Sequence, residues 1–146
     1  QAWASFGVPD SDNGKLLRCR PDNVLRRAQR PVMVVDAKYK LLDDELSPSS
    51  AEQPYSAPVS QDVYELLGGM FAHGCETGVL VYPSAATVAP SVRTWLINVY
   101  GKQVRVGALA VDLLRLHSRA EMARLFDAVA EELATYEVAK AEDFQH

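Results

Sequence analysis

The apolar run Val32-Met33-Val34-Val35 ends in Asp36-Ala37-Lys38-Tyr39-Lys40. Four consecutive apolar residues suit a strand buried on both faces, so the segment reads as an interior strand over residues 32–39. Side chains alternate across a strand. Asp36 and Lys38 therefore share one face, roughly 6–7 Å apart along the backbone. Charge buried in such a place is costly unless it is paired or holds a metal. A second acid, Asp22, follows Pro21 on the preceding strand-like segment. With residues 27–31 as the turn, Asp22 falls opposite Asp36 and Arg20 opposite Lys38. Two opposed carboxylates repel each other. A divalent cation between them removes that repulsion, and hard carboxylate oxygens suit magnesium or manganese. A slip of one residue in the pairing would put the acids on opposite faces.

The chain order around this segment predicts an α/β fold. Residues 15–26 alternate in part and read as one strand, with a turn signal at Asp12-Asn13-Gly14 before it. Pro21 cannot donate to a ladder, which marks an edge or a bulge that would aim Asp22 inward. Residues 41–60 are a long connection rich in acid, Ser and Pro, read as a mobile insertion or as a cover for the site. Ser60 is placed to cap a helix through about residue 73. Val63, Leu66, Leu67, Met70 and Phe71 recur at helical spacing and are expected to pack on a sheet. Gly68-Gly69 weakens that helix by about 1 kcal/mol per glycine, which a close approach to a strand would explain. Gly78–Tyr82 reads as a short buried strand ended by Pro83, and residues 94–100 and 103–111 as a hairpin around Gly101-Lys102. Ser118-Arg119-Ala120-Glu121 is a capping box. It opens a helix to about residue 138, with Met122, Leu125, Phe126, Val129, Leu133 and Tyr136 on its buried face.

Three stretches carry a family likeness: Arg20-Pro21-Asp22-Asn23-Val24-Leu25-Arg26, then Val34-Val35-Asp36-Ala37-Lys38-Tyr39-Lys40, then Asp62-Val63-Tyr64-Glu65 with Gly78–Pro83 beyond it. Pro-Asp, then Asp-x-Lys after an apolar strand, resembles the PD-(D/E)xK nuclease superfamily. The closer likeness is to the nuclease domain of McrC-type proteins, the cleavage subunits of McrBC-like modification-dependent restriction systems. It spans roughly residues 18–83. The family commonly shows Asp-x-Tyr-Gln on the helix after the catalytic strand and a Tyr one turn on; here Glu65 and Gly69 stand at those positions.

The resemblance implies a restriction-endonuclease-like core, a mixed sheet with flanking helices, over a single domain 1–146. The family's helix before the first strand finds no helical period here, and the chain reads as a domain of a longer protein. The resemblance further implies a Mg2+- or Mn2+-dependent deoxyribonuclease. Asp22, Asp36 and the Ala37 carbonyl would hold the ion, with Glu65 as a third carboxylate if the helix points it inward. Lys38 would orient or deprotonate the attacking water. Arg20, Lys40 and Tyr64 are candidate DNA contacts, and Tyr39 is assigned to packing. A separate McrB-like NTPase motor would be the partner, and a transient dimer would cut both strands. Two alternatives stay open: a catalytically impaired module that acts in assembly with the motor, or another PD-(D/E)xK enzyme of repair or junction cleavage. An isolated Asp36–Lys38 surface salt bridge is the plainest reading of the motif.

Composition bears on these choices through the placing of charge. The net charge is −4, yet residues 15–40 hold eight basic side chains against two acids, Asp22 and Asp36. A basic patch at the site on an acidic body is what phosphate contact needs. There is no 18-residue apolar run and no signal-peptide pattern, so a cytoplasmic protein with no membrane span is expected. Two cysteines, Cys19 and Cys75, are too few for a disulfide framework and read as reduced thiols. His73-Gly74-Cys75 offers zinc too few ligands, since His117 and His146 have no recognised spacing. His73 reads instead as a helix-end residue facing the negative pole. No glycine-rich phosphate loop occurs, so NTP hydrolysis is assigned to a partner.

Overall fold

A computed structural model of the chain describes residues 4–7, 17–19, 21–40, 58, 60–84 and 92–138. Two short strands, β1 (Ala4–Gly7) and β2 (Leu17–Cys19), pair antiparallel in a two-stranded sheet. A mixed five-stranded sheet follows the order β3-β4-β5-β7-β6, built from β3 (Asn23–Arg27), β4 (Arg30–Ala37), β5 (Thr77–Ser84), β6 (Val92–Val99) and β7 (Lys102–Asp112). Two helices, α1 (Ser60–His73) and α2 (Arg119–Val138), complete an α/β fold consistent with the expected restriction-endonuclease-like core.

The chain divides into two compact units. The first comprises Gln1–Ala37, Val59–Leu80 and Thr94–Gly107. Its core gathers Met33, Val34 and Val35 of β4, Leu66 and Met70 of α1, Val79 and Leu80 of β5, and Val104 and Val106 of β7, all buried. Here α1 packs on β4 and also meets β1 and β2. The second unit comprises Lys38–Pro58, Val81–Arg93 and Ala108–His146. Tyr82, Leu109, Leu125 and Tyr136 are its large buried side chains. In it the Glu132 carboxylate of α2 accepts from the Val92 amide at 2.7 Å. Among the described residues no helix is long and apolar enough to cross a membrane.

The single strand expected over residues 15–26 is two strands in two different sheets. The break falls at Pro21, which has no N–H to continue a ladder. The next strand begins at Arg30, not at residue 32, because the turn takes only Ala28 and Gln29. Both have positive φ, 46° and 68°, as a two-residue type I′ connection requires. β5 runs one residue past Pro83, its expected end. The hairpin of β6 and β7 turns at Tyr100-Gly101, again with positive φ at both residues, and the Asn98 side chain accepts from the Gly101 amide at 3.0 Å.

α1 spans the expected residues, and a Schellman motif ends it. Gly74 takes φ +66°, its amide donates to Phe71 O, and the Cys75 amide donates to Met70 O at 2.8 Å. Leu66 and Met70 are buried as expected, whereas Phe71 is 49% exposed. The buried stripe is Asp62, Leu66, Gly69 and Met70, and Phe71 lies at its outer margin. Of the pair Gly68-Gly69, expected to approach a strand closely, Gly69 is buried on that stripe and Gly68 makes no close approach. A Cβ at Gly68 would meet open space, while one on Gly78 of β5 would lie 2.5 Å from the Met70 sulfur and 3.0 Å from Leu66. Ser118 caps α2 as expected: its Oγ accepts from the Glu121 amide at 3.1 Å, and the Glu121 carboxylate turns back to accept from the Ser118 hydroxyl at 3.2 Å. On that helix Leu125 and Tyr136 are buried, Met122, Val129 and Leu133 half-buried, and Phe126 is 59% exposed, outside the stripe expected to hold it. Asp112 ends β7 by accepting from the Leu114 amide, which caps a 3-10 turn over Leu113–His117.

Candidate functional site

The register of β3 against β4 decides which residues share a face. Arg27 pairs with Arg30 and Arg26 with Pro31; then Leu25 pairs with Met33, Val24 with Val34 and Asn23 with Val35. One residue of β4, Val32, is passed over between Pro31 and Met33. It is a β-bulge next to a proline, where a ladder donor is already missing. Had the tip register continued unbroken, Asp22 would stand across from Val35, on the wrong pleat. The extra residue moves the pairing by one, and continuing the observed register sets Asp22 across from Asp36.

The Asp22 side chain follows that register. Its Oδ2 accepts a hydrogen bond from the Ala37 amide at 2.8 Å. Pro21 before it is buried, and Asp22, Asp36, Ala37 and Lys38 are half-buried. The next amide, that of Lys38, donates to Val81 O at 2.8 Å. The two successive amides thus point to opposite flanks, as extended backbone demands. A residue's N–H and C=O point to the same flank in such backbone, so the Ala37 carbonyl also faces the side from which Asp22 approaches. An ionised carboxylate has about four lone-pair sites, and one N–H occupies only one of them.

The other candidates are not all gathered here. Glu65 is exposed on α1, and its Oε1 accepts from Gln61 Nε2 at 3.1 Å, one turn earlier. Among the described residues no three His, Cys, Asp or Glu side chains form a metal-holding group. Tyr64 is 71% exposed and Lys40 is exposed, as contact with a partner needs. Tyr39, assigned to packing, is instead 97% exposed, two residues past the end of β4. Arg20 and the connection at 41–57 lie outside the described residues.

Sequence reading missed Asp62 as a buried acid. It is 3% exposed and stands four residues before Leu66 on the inward stripe of α1. That spacing was the available signal. His73 was assigned to the helix's negative pole, which would favour its charged form. Burial and the nearby Arg26 guanidinium instead hold its pKa below the ordinary imidazole value. Its Nε2 is buried without a hydrogen-bond partner among the described residues. Cys75 is a buried thiol.

The family model of McrBC 5-methylcytosine restriction system components matches residues 1–83 of the 146. The matched stretch holds β1 to β4, α1 and most of β5, and with them Asp22, Asp36 and Lys38. No curated protein matches the chain.

Proposed function

Since the chain belongs to the family of McrBC 5-methylcytosine restriction system components, we propose that it is the part that cuts: a metal-dependent endonuclease domain of the PD-(D/E)xK type, McrC-like. The observation that carries this reading is the Asp22–Ala37 hydrogen bond, which brings one acid to the peptide that follows the other. The donors suit a hard cation. Asp22, Asp36 and the Ala37 carbonyl would hold magnesium or manganese, and Mg2+ needs only one or two carboxylates when water and phosphate complete its shell. When bound, such an ion polarises a phosphodiester oxygen and lowers the pKa of coordinated water. Asp22 and Asp36 supply the negative charge that favours a cation at this spot. Lys38, two residues after Asp36, orients the attacking water or takes its proton, and offsets charge that grows on the phosphate. Tyr64, Lys40 and Arg20 are the side chains proposed to touch the DNA backbone. An NTPase motor subunit supplies translocation and recognition, and a transient dimer cuts both strands.

A second reading, a non-catalytic assembly module, draws support from Glu65, which faces solvent where a third carboxylate was expected. One experiment separates the two. Plasmid cleavage is measured for the intact protein with magnesium and with chelator, alone and with its motor partner. Asp36→Ala and Lys38→Ala are each expected to lower cutting by about 100-fold or more at unchanged melting temperature. Cutting that survives both substitutions removes the site assignment.

A further inference from the structure

The five-stranded sheet has two unlike edges. At one, β3 is five residues long, carries Arg26 and Arg27 and pairs with β4 through a bulge. Shortness, charge and a bulge all keep an edge from pairing with other chains. At the other edge, β6 has β7 as its one neighbour among the described residues. It is eight residues long, and Thr94-Trp95-Leu96-Ile97-Asn98-Val99-Tyr100 holds no charge, no glycine and no proline. The two-residue turn at Tyr100-Gly101 sets Val99 across from Lys102. Hydrogen bonding to one neighbour alternates along a strand, so Val99, Ile97 and Trp95 turn their N–H and C=O to β7. Asn98, Leu96 and Thr94 turn theirs outward. Val92 shares that outward parity, and its amide is the one that Glu132 of α2 accepts from. The side chains show the same open rim. Leu96 is 55% exposed on one face, and Trp95, Ile97 and Val99 on the other are half-buried.

We propose that β6 is the surface on which a second copy of this chain docks, edge to edge and antiparallel about a two-fold axis at Leu96. Leu96 then faces Leu96 of the second copy, Thr94 faces its Asn98, and Trp95 faces its Ile97. Outward backbone groups meet at the Leu96 rung and at the two Thr94–Asn98 rungs, for about six main-chain hydrogen bonds. Apolar residues meet on both faces of the joined sheet, and these rungs oppose no like charges. An identical strand closes the contact by symmetry. Each copy's β6 edge is used up, and the guarded β3 edges stop growth at two. So small an interface makes a weak dimer that forms as concentration rises. It supplies the pair of sites that cutting both strands requires, and in that use it rests on the nuclease reading.

The test is sedimentation velocity on the full chain without DNA, from about 1 µM to about 1 mM, alongside amide exchange by nuclear magnetic resonance. The parent should pass from monomer to dimer and no further. The amides of Leu96 and Asn98 should exchange more slowly as the dimer forms. Leu96→Lys and Leu96→Glu each set like charges across the central rung, so each should weaken association about 10-fold or more at an unchanged melting temperature. An equimolar mixture of the two variants sets Lys against Glu and should restore the dimer. A parent that stays monomeric throughout overturns the proposal and leaves a strand of another protein as the fitting occupant. A dimer in which the Leu96 and Asn98 amides exchange as in the monomer places the contact elsewhere and overturns it too. So does a mixture no more associated than either variant alone, or growth of the parent past two copies. The nuclease reading fails separately: cutting undiminished by Asp36→Ala defeats it and leaves this association unchanged.

Discussion

The Asp22 carboxylate accepts the Ala37 amide proton across 2.8 Å, so an acid outside β3 finishes the ladder that β3 itself does not reach. The bond gives Asp22 two separable roles, one in the fold and one as a charge. Asp22→Ala removes the acceptor of a half-buried amide and should lower stability by about 1–2 kcal/mol. Asp22→Asn keeps an acceptor oxygen and should lose much less. Both should lose magnesium binding in calorimetry. Denaturant midpoints check the first pair of outcomes, and equal destabilisation by the two substitutions would show that charge, not the hydrogen bond, supports the fold.

Val32 is the residue passed over in the register that brings the acids together. Its deletion should remove the bulge and leave Leu25 across from Met33 and Asp22 across from Asp36, with cleavage kept. One residue inserted between Val34 and Val35 should instead set Asp22 across from Val35, on the other pleat. The Ala37 amide, protected by Asp22 in the parent, should then exchange with solvent faster, and cleavage should be lost. Amide exchange by nuclear magnetic resonance reports the first effect without reference to activity. Parental protection at Ala37 in the insertion variant would disprove the role of the register.

Two glycines should respond in opposite senses. Gly78 faces the Met70 sulfur and Leu66 with no room for a methyl group, so Gly78→Ala should destabilise by about 1–3 kcal/mol. Gly68 is helical with open space around it, so Gly68→Ala should stabilise by about 0.5–1 kcal/mol. Thermal melting of the two variants checks both. A destabilised Gly68→Ala would mean that the glycine answers to something other than packing.

His73 should give the fold an acid-sensitive component. Its pKa is lowered in the folded protein by burial and by Arg26, so below about 6.5 the unfolded chain takes up the proton more readily. Stability from this group is complete above that pH and declines as pH falls toward the folded pKa. His73→Gln should flatten the dependence as pH falls below about 6.5. Urea midpoints measured downward from that pH, compared for the parent and the variant, check it.

Periodicity made the helices and the β6–β7 hairpin legible, because their apolar residues recur at spacings that no other structure satisfies. The acids were legible from their places around an apolar run, but their register was not. Val32 looks like any other strand residue, and nothing in its chemistry marks it as the one passed over. Ala28-Gln29 is a tight turn without the glycine that usually advertises one. Phe71 and Phe126 were assigned inward because an apolar stripe has no sharp border in sequence. Asp62 was overlooked for the converse reason, as a polar residue on an apolar face.

The bulge also governs where this chain tolerates changes in length. Residues added at Ala28-Gln29 bulge outward and leave the arms aligned. A residue gained or lost between the bulge and either acid shifts Asp22 against Asp36 and has to be matched by a second such change nearby, whereas loss of the bulged residue leaves the acids opposed. Homologous hairpins should therefore vary freely at their tips and change length along their arms only at the bulge or in compensating pairs.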